Sequence, residues 1–93
     1  MDLGLKGRVA LVAGASQGIG RATAMAFAAE GADVAICARN EAALEEVARQ
    51  ARDERGVKAL TGAVDVADAE AIAEFVRRVE AEMGRVDVCV PNA

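Results

Sequence analysis

The sequence predicts an α/β fold, a doubly wound parallel sheet with helices on both faces. Three observations predict it. Short β-branched runs alternate with helix-length segments, glycines fall at the segment ends, and no proline or linker interrupts the chain before Pro91. At 93 residues and 54% apolar content, the chain amounts to one domain at most. A chain of this length buries only roughly 60–65% of its unfolded surface, so it is marginal alone.

Each element follows from local chemistry. Arg8–Ala13 is an apolar run ending at Gly14, with the length and flanks of a buried parallel strand. Gly18–Glu30 is an Ala-rich helix in which Ile19, Met25 and Phe27 add bulk; Gly31 stops it. Asp33–Ala38 is the second strand. Asn40 caps a helix over Glu41–Arg55, whose Leu44, Val47, Ala48 and Ala51 share one face, and Gly56 ends it. Val57–Val64 is a third strand, polar enough to be expected at an edge. Asp68 caps a helix to Met83 that carries a stripe of Ile72, Phe75, Val76, Val79 and Met83. Gly84 stops that helix, and Val86–Val90 is the fourth strand.

Helical crossovers make neighbouring strands parallel and right-handed, so the expected strand order is 3-2-1-4. Cys37 and Cys89 then flank the first strand at about 10 Å. A disulfide needs Cα atoms within roughly 7 Å. Both cysteines are read as reduced, buried, small hydrophobes.

The absences narrow the chemistry. There is no His, Tyr or Trp, and the only lysines are Lys6 and Lys58. His-based general bases, Ser-His-Asp triads, His-ligated zinc and a Tyr acid are excluded. No carboxylate pair has a metal-ligand spacing; Asp33, Asp53, Asp87 and the glutamates read as solvated surface charge. The net charge is −4, the basic residues are scattered and aromatic content is 2%, which argues against nucleic acid. No stretch is long and apolar enough to cross a bilayer, and the N-terminus lacks signal-peptide character. The expected location is the cytoplasm.

One motif carries chemistry. Gly14-Ala15-Ser16-Gln17-Gly18-Ile19-Gly20 lies between the first strand and the first helix. Backbone amides there, at a helix N-terminus, suit a pyrophosphate. Gly14 permits the tight turn, Gly18 clears space for phosphates, and Gly20 lets helix and strand pack closely. The competing reading is a tight turn without a ligand. With this motif the expected fold is Rossmann-like and the expected partner a dinucleotide.

The spacing Gly-x-x-x-Gly-x-Gly resembles that of the short-chain dehydrogenase/reductase family. The resemblance covers the whole chain, through Leu5-Lys6-Gly7-Arg8, the Asp65-Val66 pair and Val90-Pro91-Asn92-Ala93. Two positions depart from the family pattern: Ala13 stands where the family has Thr, and Pro91 where it has the first Asn. Both family residues help tie the first-strand turn to the fourth-strand turn, so a looser cofactor edge is expected. The resemblance implies that Asp65 and Val66 meet the adenine, although Asp65 reads equally as an acid favouring the following helix dipole. It also implies that Asn92 and Ala93 line the adenine ribose.

The residue after the second strand reads the ribose. Here it is Arg39, with no acid at the strand end, so NADP(H) is expected over NAD(H). Arg39 would bond the 2′-phosphate with Ser16 as helper; the alternative is a solvated charge beside the Asn40 cap. Gln17 stands where the family often has a second basic residue.

The family's hydride transfer uses Ser, Tyr and Lys residues that lie beyond this stretch in its longer members. The expectation is therefore residues 1–93 as an NADP(H)-binding half-domain of a truncated enzyme, with no catalytic residue of its own. The fourth strand would then be an exposed apolar edge, and self-association along it is expected. The alternatives are a stand-alone nucleotide-binding module and a structural half-fold that binds nothing.

Overall fold

The computed structural model describes residues 4–15 and 18–91 of the chain. Ser16, Gln17, Asn92 and Ala93, four of the expected site residues, lie outside them. The elements run β1 (Val9–Ala13), α1 (Gly18–Ala29), β2 (Asp33–Ala38), α2 (Glu41–Arg55), β3 (Ala59–Ala63), α3 (Ala69–Met83) and β4 (Val88–Val90). The strands form one parallel sheet in the order β3-β2-β1-β4. Both the topology and the edge position of β3 match the expectation. The strands β3 and β4 are shorter than expected, because Val57, Lys58, Val86 and Asp87 approach the sheet as irregular chain.

Every residue of β1 is buried, as is β2 from Val34 to Ala38. That is how central parallel strands read when both faces are covered. Val12, Val34, Ile36 and Ala38 face α1 and α2, where Ala24, Ala28, Leu44, Val47, Ala48 and Ala51 complete one apolar layer. The buried positions of α1 are Gly20, Ala24 and Ala28, small residues at every fourth place that bring its axis close to the sheet. Val9, Leu11, Ala35 and Cys37 face the other way, toward Phe75 and Val79 of α3.

The helix ends follow the chemistry expected of them. Asn40 accepts a hydrogen bond from the Ala43 amide and Asp68 accepts from Glu70 and Ala71. Gly56 and Gly84 end α2 and α3 in the left-handed conformation.

Three expectations need correction. Cys89 is exposed, not buried, because β4 is the outermost strand of the described sheet. Asp87 is not solvated: its side chain is only 13% exposed and bonds the Val9 amide. Asp33 likewise accepts from the Lys58 amide at 2.9 Å, tying the starts of β2 and β3 together.

The role of Gly62 has no warning in sequence periodicity. It is buried in β3 under the Phe75 ring, and a Cβ there would lie 2.5 Å from two ring carbons. Gly62→Ala must displace a ring that is 97% shielded by its neighbours, since Phe75 is 3% exposed. The expected loss is about 1–3 kcal/mol in urea unfolding. An unchanged midpoint would show that the ring relaxes without cost.

Candidate functional site: the glycine turn at the carboxyl edge

All four strands point their carboxyl ends the same way, and the turns leaving β1, β2 and β3 open on that edge. In a sheet of this kind ligands bind beyond the strand ends, where the strand order reverses. Here the order reverses at β1, whose neighbours are β2 and β4. The glycine motif starts at that point.

Gly14 leaves β1 at φ +71°, a conformation open to glycine and strained for other residues. Its amide donates to the Cys37 carbonyl at 2.7 Å, and the Ala15 amide donates to the same oxygen at 3.3 Å. These two donors are therefore spent on β2. They anchor the turn and do not face a ligand, which corrects the expectation that amides along the whole turn are offered to phosphate. What remains on offer is the start of α1. Gly18 has φ +62°, and a Cβ on it would touch no protein atom within 4 Å. The left-handed backbone is what calls for glycine here, and the space around it is open. Gly20 is buried, as close helix–strand packing requires.

α2 and α3 begin on side-chain caps and carry Glu41 and Glu70 in their first turns. α1 has no acidic residue in its first turn. The positive end of its dipole therefore meets no carboxylate in its own first turn. Ile19 is 77% exposed and Val66 36%, the large hydrophobics the described surface leaves uncovered. Both lie at the carboxyl edge, beside turns that open there.

Arg39 follows β2 directly, is exposed, and makes no hydrogen bond or ion pair among the described residues. Asp65 follows β3 through Val64, whose amide bonds the Ala38 carbonyl and so draws the β3 exit beside the β2 exit. One Asp65 oxygen accepts from the Ala67 amide at 2.9 Å, shaping the turn, while Asp68 does the capping of α3. A carboxylate has further lone pairs to offer. Gly14, Gly18, Ile19, Gly20, Arg39, Asp65 and Val66 are thus gathered at one edge. A separate groove of about 470 Å³ between β3 and α3 is lined by Gly62, Val64, Phe75 and Arg77 and includes none of them.

The family model for short chain dehydrogenases matches residues 8–93. The chain belongs to the short-chain dehydrogenase family. General stress protein 39 of Bacillus subtilis is 43% identical over 89 residues, covering 96% of this chain and 31% of that protein. L-Sorbose reductase from Gluconobacter frateurii, solved with NADPH and L-sorbose, superposes with a TM-score of 0.94 at 43% identity, over 100% of this chain and 35% of that one. Carveol dehydrogenase from Mycobacterium avium, solved with NAD, gives 0.90 at 32% identity, over 96% of this chain and 36% of that one. This short-chain dehydrogenase sequence spans about a third of the length of the relatives it matches.

Cys37 lies directly beneath the glycine turn, and burial pushes its thiol from 9.0 up to about 11, with Cys89 adding and the Gly14 amide opposing. A thiol raised in the folded state stabilises fully below pH 9 and loses that contribution as pH rises through about 11. Stability is therefore expected to fall between pH 9 and 11, and Cys37→Ala to flatten that fall. At neutral pH a thiol reagent should label Cys89 alone until the chain is unfolded. Early labelling of Cys37 would contradict the burial.

Proposed function

We propose that residues 1–93 form the dinucleotide-binding part of an NADP(H)-dependent oxidoreductase of the short-chain dehydrogenase family. The observation that carries this is the glycine turn. It is anchored to β2 through the Cys37 carbonyl and leads to the start of α1, whose first turn carries no acidic residue. The opening at Gly18 fits a pyrophosphate, and the bare apolar surfaces of Ile19 and Val66 fit the flat rings on either side of one.

When bound, the cofactor supplies or accepts the hydride exchanged with a carbonyl or alcohol. The residues of this chain bind and orient it. The amides of Gly18, Ile19 and Gly20 hold the phosphates, joined by Ser16 and Gln17 of the same turn. Asp65 and Val66 meet the adenine, and Asn92 and Ala93 its ribose. With neither Tyr nor His in the sequence, these residues supply no Tyr or His proton donor.

Arg39 is assigned to the 2′-phosphate. An exposed guanidinium at the β2 exit, without a partner among the described residues, attracts that group, and the sequence has no acid at the strand end to repel it. The assignment is finer than the resemblance, since relatives have been solved with NADPH and with NAD. The setting proposed is the cytoplasm, whose reducing conditions keep the two free cysteines as thiols.

A second copy of the chain is proposed as a partner along β4. This reading is favoured by the position of β4 at the sheet edge, with Cys89 exposed on it and Val88 and Val90 half-buried. Pro91 limits the pairing because it has no amide to donate.

Two measurements test these readings. In titrations with NADPH, NADH and 2′-phospho-AMP, Arg39→Asp should lower the NADPH-to-NADH affinity ratio about 10- to 100-fold, the worth of a charge-assisted bond. An unchanged ratio would remove Arg39 from the site, and no binding of any of the three would favour a structural half-fold. Sedimentation at micromolar concentration should give a mass above that of the monomer; a monomeric mass would sink the pairing along β4.

A further inference from the structure

Asp87 stands at the foot of β4, at the sheet edge opposite the glycine turn. Its amide donates to the Val9 carbonyl at 2.9 Å, and its Oδ2 accepts from the Val9 amide at 2.8 Å. Two bonds to the same residue close a ring between the first residue of β1 and the approach to β4. The other oxygen, Oδ1, accepts from Arg85 Nε at 2.9 Å and Nη2 at 2.6 Å, and from Arg8 Nη1 at 3.3 Å. The carboxylate is 13% exposed, between two guanidinium groups that are about half exposed. The Val9 amide foremost holds its pKa below the ordinary 3.8; burial opposes it, and Arg85 and Arg8 add to the lowering.

β4 has little else to place it. Its ladder with β1 is three residues long, Ala10 opposite Val88, Leu11 opposite Cys89 and Val12 opposite Val90. Its far side is the edge of the described sheet. So short a strand is weakly specified, and a slip of one residue would turn each side chain to the opposite face. Leu11 and Val12, on opposite faces, both depend on the register for their neighbours.

We infer that Asp87 is a positioning residue for the carboxyl-edge site: by clasping Val9 at one end of the sheet it fixes the register of β4, and so the height at which Val90, opposite Val12, reaches the carboxyl edge. Oδ2 pins the register through the Val9 amide. Oδ1, held by Arg85 and Arg8, keeps the carboxylate turned toward that amide. The inference rests on the proposed dinucleotide reading for its ligand readout; the register is read without a ligand.

The test uses the full 93-residue chain as wild type, Asp87→Ala and Asp87→Asn. Amide hydrogen exchange is followed in Val88–Val90 and, for comparison, in Val34–Ile36 of β2, beside titration with 2′-phospho-AMP. Asp87→Ala should speed exchange in β4 about tenfold or more while β2 changes less than about twofold, and weaken binding about fivefold or more. Asp87→Asn has one oxygen for donors that lie on both sides, so it should fall between wild type and Asp87→Ala in both readouts. Equal acceleration in β4 and β2, unchanged exchange in β4, or unchanged binding beside a loosened β4 overturns the inference. Failure of wild type itself to bind overturns the dinucleotide reading and the positioning role with it, and the exchange data still decide the register pin.

Discussion

The carbonyl of Cys37 accepts two amides from the turn that follows the neighbouring strand, Gly14 at 2.7 Å and Ala15 at 3.3 Å. Most of what positions the candidate site depends on those two bonds. They hold the exit of β1 against the end of β2, so the chain must reverse at Gly14 with positive φ before α1 can start. They also spend two donors that would otherwise face outward, leaving the opening of α1 to present the site's positive end. Gly20, Ala24 and Ala28 then seat α1 against Val12 and Val34. Small residues along that line let the helix lie close to the sheet.

The two faces of the sheet are built differently. The α1/α2 face is closed by short side chains at close range, and its helix α2 contributes Leu44 and Val47 as the larger fillers. The α3 face relies on one aromatic ring, Phe75, admitted only because β3 has Gly62 beneath it. At the amino edge the sheet is tied by carboxylates that take backbone amides, Asp33 on Lys58 and Asp87 on Val9. Side chains at one end and backbone turns at the other thus fix the same four strands.

Much of this is legible in the sequence, for identifiable reasons. The helices α2 and α3 are announced by their caps, by terminal glycines and by apolar stripes, all of them local signals. The strand order follows from crossover geometry once the alternation is seen. Among site residues, Gly14, Gly18, Gly20 and Arg39 are visible because motif spacing and strand ends mark them. What is not legible depends on distant partners. Asp87 reads as surface charge until β1 comes alongside it, 78 residues away in sequence from Val9. Gly62 draws no notice in the sequence until Phe75 is laid over it. Cys89 reads as buried because its run is apolar, whereas exposure depends on the edge position of β4. The donors at Gly14 and Ala15 look available in the motif and are consumed by a strand the motif does not contain.

The central claim is that the phosphate-binding surface lies at the opening of α1, on a turn already fixed by the sheet. Amide chemical-shift mapping of the labelled chain during addition of NADPH tests it most directly. The largest shifts are expected at Gly18, Ile19, Gly20 and Arg39, with the amides of Gly14 and Ala15 keeping their bonds to Cys37. Shifts centred on the groove between β3 and α3, or none at the opening of α1, would contradict it.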